Sequence, residues 1–331
     1  MFKSIIKKIV ANLPFKTRLV QFGALLPRKF KSQFTVRVFG NLLTFINPQT
    51  EIATNLGISD QLRVRLKVES IVPVYLFGQP SIYKGERGPL FLASHFARSC
   101  EWFVDIGANV GYYTYFIKST SNDTKIASFE PNRELFDSIR STINNNHLNG
   151  ISINCLGVSD RRGKSEFYLD RNNHTMGSLL SNFGNTHDLE KCSIEVTDFD
   201  SFASDNDISG NAVIKVDVEN AEHLFVDGAR ETLKTLRYLI IELLYPARQA
   251  KILERLISEF GFYAYYINDH CLENMEYEDL RYVGGEMNWL FCRENPSQLQ
   301  AELTGSGFSV VDAPIERGID LNHQPYVPVT D

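Results

Sequence analysis

Between residues 102 and 292, short apolar runs rich in β-branched and aromatic residues alternate with stretches of helical period. Trp102–Ile106 leads through a glycine-bearing turn into a helix over about 112–118, and Lys125–Glu130 precedes a helix over 132–146. Ile151–Val158 is the third strand and Ala212–Val216 the fourth, with a strand pair (165–169 and 193–197) inserted between them. A helix over 222–235, a strand Tyr238–Glu242, a helix over 247–260 and two last strands, 262–267 and 288–292, complete the series. Near-continuous apolar strands separated by amphipathic helices predict an α/β sandwich whose parallel sheet is covered on both faces. Ligands of such sheets bind beyond the carboxyl ends of the strands, where strand order reverses.

The flanks read differently. Residues 1–90 form an N-terminal α+β extension: Phe34–Phe39 and Leu62–Val68 alternate as strands do, and residues 77–89 are dense in turn formers. The first 31 residues carry eight Lys and Arg and no acid, and Phe2, Ile5, Ile6, Ile9, Val10 and Leu13 recur at helical spacing. The simpler reading is a helix packed on the domain or a partner, and the sharper one a basic amphipathic helix on an anionic membrane surface. The apolar stretch is too short and too interrupted by charge for a signal peptide. The nucleotide-binding-type domain spans 91–293, and residues 294–331 read as a mobile or surface-wrapped tail.

Composition narrows the class. Hydrophobic residues make up 43% of the chain, enough for a sizeable core. A net charge of −6 gives no basic field, so no nucleic-acid partner is expected. Five scattered cysteines without a C-x-x-C pair argue against a zinc site or disulfide framework and for a reducing cytoplasm. No apolar run approaches the roughly 18 residues of a membrane span.

Candidate chemistry gathers at the strand ends. In Asp105-Ile-Gly-Ala-Asn-Val-Gly111, Gly107 permits a tight turn and Gly111 a helix start close to a ligand. The fingerprint G-x-G-x-x-G fails, because Asn109 and Tyr112 stand at its second and third glycine positions. The looser turn suits a smaller ligand, such as the amino-acid end of S-adenosylmethionine; a plain strand-to-helix corner is the alternative. Glu130, ending the second strand before Pro131, stands where such a sheet places a carboxylate for two ribose hydroxyls. Asp160, after the third strand, can accept from an adenine amine or serve the turn Ser159-Asp-Arg-Arg-Gly163. Asp217 and Glu219 share one side of an extended chain, so two carboxylates would face the cleft, with Glu242 able to join them; capping of the next helix is the alternative, chiefly for Glu219. His174, His187, His223, Cys100 and Cys155 are assigned no chemistry.

These residues resemble the FkbM-type methyltransferase family. The resemblance rests on Phe103-Val-Asp-Ile-Gly-Ala-Asn-Val-Gly-Tyr-Tyr-Thr114, Phe129-Glu-Pro131, Gly157-Val-Ser-Asp160 and Ile214-Lys-Val-Asp-Val-Glu-Asn-Ala-Glu222, in family order over about 95–293. It implies a Rossmann-like, class I methyltransferase fold with a seven-stranded, mostly parallel sheet. It further implies S-adenosylmethionine as methyl donor, S-adenosylhomocysteine as product, and a hydroxyl of a sugar, glycan or polyketide as acceptor. Cofactor contacts are implied at Asp105, Gly107, Gly111, Glu130 and Asp160, with Asn109 in the same turn, and Asp217 near the reacting centre. The chain departs from the family pattern at Asn220, where Gly is usual. The expected reaction is in-line displacement at the sulfonium methyl, Asp217 taking the hydroxyl proton. A Mg²⁺ on Asp217, Glu219 and Glu242 is the alternative activation, with no metal site assigned. A nicotinamide-dependent oxidoreductase and a non-catalytic cofactor- or glycan-binding relative are the rival functions.

Overall fold

A computed structural model describes residues 25, 51–54, 56, 58, 61–67 and 86–312, except 172, 182, 184–187, 244–245, 269–270 and 276–286. The expected helix over 2–13, the strand 34–39, most of the connection 77–89 and the end of the tail lie outside these residues. In the extension, β1 (Glu51–Thr54) and β2 (Val64–Lys67) pair antiparallel. Leu62, Val64 and Leu66 bury one side of that ribbon in a cluster with Leu135 and Ile139.

The domain proper begins with α1 (Arg87–Ala97). There follow β3 (Trp102–Ile106), α2 (Tyr112–Thr120), β4 (Lys125–Phe129), α3 (Arg133–Asn145), β5 (Ile151–Asn154) and β6 (Gly157–Ser159). Next come β7 (Gly163–Asp170), β8 (Asn173–Ser178), β9 (Leu189–Asp198), α4 (Phe199–Asp205), β10 (Ala212–Val216), α5 (Glu222–Gly228) and α6 (Arg230–Thr235). The series ends with β11 (Tyr238–Leu243), α7 (Pro246–Ser258), β12 (Tyr263–Ile267), β13 (Cys271–Asn274), β14 (Met287–Cys292), α8 (Pro296–Glu302) and β15 (Ser309–Val311).

The main sheet runs β15-β13-β12-β14-β11-β10-β3-β4-β5. Five neighbours, from β11 to β5, are parallel, and β14 enters antiparallel between β11 and β12. The α/β sandwich read from the sequence is therefore present, but with nine strands rather than seven. The two extra strands, β13 and β15, are four and three residues long, too short to show a period. Residues 296–311, expected in the tail, supply α8 and the edge strand; Asn295 and Gln298 cap α8 reciprocally, with Pro296 opening it.

The third predicted strand splits at Leu156. β5 stays in the main sheet, whereas β6 joins a second sheet of order β6-β9-β7-β8. Val158 is buried there as it would be in the main sheet, so the apolar pattern continues unbroken across the change of sheet.

Strand alternation sorts the core. Val104, Ile106, Ile214, Val216, Leu239 and Ile241 face α4–α7, while Phe103, Val213, Tyr238, Ile240 and Leu290 face α1, α2 and α8. The second face changes character toward the carboxyl ends of the parallel strands. By the same alternation Asp105, Lys215, Asp217 and Glu242 follow on it, and Asn288 stands directly opposite Glu242 across the β11–β14 pair. The polar residues are thus delivered to one place by an otherwise apolar face. Among the described residues, no helix is long and apolar enough to cross a membrane.

Candidate active site

A cleft opens beyond the carboxyl ends of β3, β4 and β10, between the main sheet and the inserted hairpin β7–β8. Its floor is Ile106, Gly107, Asn109, Glu130 and Asp217, and the insert closes it with Phe167, Leu169 and Leu179. Ser178 Oγ donates to the carbonyl of Glu219 at 2.7 Å, tying the insert to the corner after β10.

The turn after β3 is built around a close backbone approach. Gly107 has φ +82°, and a Cβ there would lie 1.9 Å from the carbonyl oxygen of Asp217. Only glycine tolerates both conditions. Gly111, also at φ +82°, makes room for the ring of Tyr115 and does not border the cleft. Asn109 does border it, at φ +54°, and its N–H donates to Glu130 Oε2 at 2.8 Å.

Glu130 sits on the floor of the cleft, 5% exposed, and its other oxygen accepts from the N–H of Asn132 at 2.8 Å. Burial raises its carboxyl to about 8, against the pull of the two N–H donors. Each carboxylate oxygen has a second lone pair, so two further hydroxyl donors can be accepted without breaking either bond.

Besides Gly111, two more of the expected cofactor residues, Asp105 and Asp160, do not border the cleft. Asp105 lies beneath the turn, where its Oδ2 accepts from Thr114 N–H at 3.1 Å and Thr114 Oγ1 at 2.6 Å, and it does not border the cleft. Burial lifts it to about 6, opposed by Thr114 and Lys215. Its visible work is to hold the start of α2 on β3. Asp160 is on the exposed side of β6, accepting from Arg161 Nη1 at 2.8 Å and Ser159 Oγ at 3.0 Å, and the cleft wall there is Leu156, Gly157 and Val158. In this arrangement Asp160 bonds within its own loop.

Asp217 and Glu219 both border the cleft. Asp217 also belongs to a second cluster behind it, in which the sequence-expected partner Glu219 is replaced by Glu86. Oxygens of Glu86, Asp217 and Glu242 all lie within 4.8 Å of one another. Lys215 Nζ is 3.3 Å from Asp217 Oδ2 and 5.4 Å from the centre of the Tyr113 ring, and Tyr113 Oη donates to Glu86 Oε2 at 2.6 Å. Burial opposes the charge of Lys215, but Asp217, Glu242 and Glu86 outweigh it and keep the ammonium protonated. Burial, together with Asp217, pushes Glu242 well above the carboxylate range. Lys215 was legible as a charge inside an apolar strand, which demands a buried partner. Nothing in its turn-rich surroundings singled out Glu86.

A comparison with curated protein sequences gives no significant match. Among solved structures the chain is similar to TYW2 of M. jannaschii in complex with AdoMet, at 15% identity over 75% of this chain and 89% of that one, with a TM-score of 0.40. It is also similar to a SAM-dependent methyltransferase from Agrobacterium tumefaciens (7% identity, 75% and 71% covered, TM-score 0.40) and to an rRNA methylase from Streptococcus thermophilus (10%, 62% and 95%, TM-score 0.37). The family model of the methyltransferase FkbM domain matches residues 105–270, half of the chain, from the turn through β12. The chain belongs to the FkbM methyltransferase family.

Proposed function

We propose that this methyltransferase methylates a hydroxyl oxygen of a sugar, polysaccharide or polyketide-like small molecule. The observation that carries the assignment of the donor site is Glu130, buried at the cleft with both oxygens aimed by backbone N–H groups and each able to accept one more donor. That is the acceptor pair a ribose diol requires. The glycine corner at 107 leaves backbone, not side chain, facing the amino-acid end, and Leu156, Val158, Phe167 and Leu179 offer apolar walls to a flat base.

S-adenosylmethionine, when bound, supplies an electrophilic methyl on a sulfonium sulfur. The residues of the chain align it with the acceptor, exclude water and take a proton. The acceptor oxygen would bond to the methyl carbon as the carbon–sulfur bond breaks, its electrons returning to sulfur. The hydroxyl proton passes to Asp217, the carboxylate that borders the cleft and is held by Lys215. The acidic chain, with its net charge of −6, fits a small or glycan acceptor better than a polyphosphate backbone.

The test is transfer of labelled methyl from S-adenosylmethionine to a panel of glycan and polyketide alcohols. Asp217→Asn should lower kcat by roughly 100-fold or more while S-adenosylhomocysteine binds as before. Methylation of nitrogen acceptors or RNA, with none of the alcohols used, would overturn the acceptor class.

A further inference from the structure

We propose that Glu86, Asp217 and Glu242 bind one hard divalent cation, with Asn288 Oδ1 as a fourth oxygen ligand. Three separate elements converge here: the lead into α1, the corner after β10, and the end of β11. Their carboxylate oxygens lie within 4.8 Å of one another. Two oxygens on one Ca²⁺ at about 2.4 Å stand at most about 4.8 Å apart, and on Mg²⁺ or Mn²⁺ at about 2.1 Å at most about 4.2 Å. Three oxygens as much as 4.8 Å from one another lie up to about 2.8 Å from a central ion, so Ca²⁺ draws the carboxylates in by up to about 0.4 Å and Mg²⁺ or Mn²⁺ by up to about 0.7 Å.

Asn288 points to a ligand independently of the acids. It is 6% exposed, and its Oδ1 has no hydrogen-bond partner among the described residues. In the antiparallel β11–β14 pair it stands directly across from Glu242, so both side chains rise from the same face with Cβ atoms about 5 Å apart. A buried carbonyl oxygen left unpaired beside a carboxylate is repelled by it; a cation between them reverses the sign of that contact. Charge points the same way. Three acids meet a single ammonium, that of Lys215, at a half-buried site. All donors are oxygens, the set that selects hard cations.

The ion assignment stands on this geometry alone, whereas its use in catalysis rests on the methyl-transfer reading. Asp217 has two oxygens, so one can hold the ion while the other meets the acceptor at the cleft. An ion there lowers the pKa of a hydroxyl that reaches it and eases proton loss to Asp217.

The experiment titrates Mn²⁺ into the EDTA-stripped full chain and follows the electron paramagnetic resonance signal of free Mn²⁺. One Mn²⁺ per chain is expected, displaced by Mg²⁺ or Ca²⁺. Glu86→Gln and Glu242→Gln should each weaken binding by roughly tenfold or more. Glu219→Gln, at the cleft but outside the ion's ligands, should leave it unchanged. Glu86 is only half buried, so its variant decides the matter should Glu242→Gln fail to fold. Absence of bound Mn²⁺, or binding untouched by Glu86→Gln, overturns the site. Titration of S-adenosylhomocysteine into the same samples separates the two readings. Its binding without Mn²⁺ removes the ion alone, and Mn²⁺ binding without it removes the donor assignment.

Discussion

Replacing Glu130 with Gln separates the two things this side chain does. In the wild type its carboxyl titrates at about 8 rather than the ordinary 4.5. The folded value is the higher one, so folding takes up a proton between these limits, and stability falls as pH rises from about 4.5 to 8. At pH 7 that amounts to about 3 kcal/mol, from 2.5 pH units at about 1.4 kcal/mol each. Gln removes this penalty but presents an amine to one of the two N–H donors, Asn109 or Asn132, and leaving one buried N–H unpaired costs about 1–3 kcal/mol. The two effects offset, so urea denaturation at pH 7 should place the variant within about 2 kcal/mol of the wild type. The wild-type decline in stability between pH 5 and 8 should be shallower in the variant by Glu130's share, although Asp105 and Glu222, raised by burial to about 6 and 7, keep part of it. Binding behaves differently. A ribose diol donates to the ionised carboxylate, so wild-type affinity for S-adenosylhomocysteine should rise up to tenfold per pH unit between 6 and 8 and then level off. The variant loses two charge-assisted bonds, roughly 3–6 kcal/mol or a hundredfold and more in affinity. Calorimetry at pH 6, 7 and 8 reads both. Wild-type affinity in the variant with the same pH slope would refute the ribose assignment.

Two other substitutions probe the corners around the cleft. Gly107→Ala sets a Cβ 1.9 Å from the Asp217 carbonyl oxygen at φ +82°, and should destabilise the fold by about 3 kcal/mol or more in chemical denaturation; a loss under 1 kcal/mol would show that β3 and β10 part easily. Asn220→Gly removes a buried Nδ2 that has no partner among the described residues, from a residue at φ +75°, and should raise stability by about 1 kcal/mol after the entropic cost of glycine. A clear drop in melting temperature there would mean that the amide holds something the backbone alone cannot.

Periodicity carried the parallel half of the fold well, because each of β3, β4, β10 and β11 is a strand of five or six residues with at least four in a row buried, set between amphipathic helices. It carried the edges poorly. β13 and β15 are shorter than any reliable period, and the step from β5 to β6 keeps its apolar rhythm while changing sheets. The site divides along similar lines. Glu130, Gly107, Asn109 and Asp217 were legible because a parallel sheet exposes whatever ends its strands, and all four border the cleft. Asp105 and Asp160 end strands too, yet the first is turned under by Thr114 and the second outward by Arg161. Sequence position fixes that a residue reaches the strand end, not which of its neighbours its side chain meets first. Glu86 is the converse case: it reaches the site from the residue just before α1, in turn-rich sequence where no local pattern marks it.

Lys215 links these observations. A charged side chain in the middle of an apolar strand, 1% exposed, is tolerated only where carboxylates surround it. One acid would have sufficed to neutralise it. The fold gathers three, from elements distant in sequence, and places one of them, Asp217, on the wall between the acid cluster and the cleft. A cluster with purely structural work needs only the acid that neutralises Lys215, and Glu242, kept protonated by burial beside Asp217, adds nothing to that. Beside the carboxylate that faces the acceptor, the surplus acid can take up a proton in transit or give its own up to a bound cation, and both uses pass through the same atoms of Asp217.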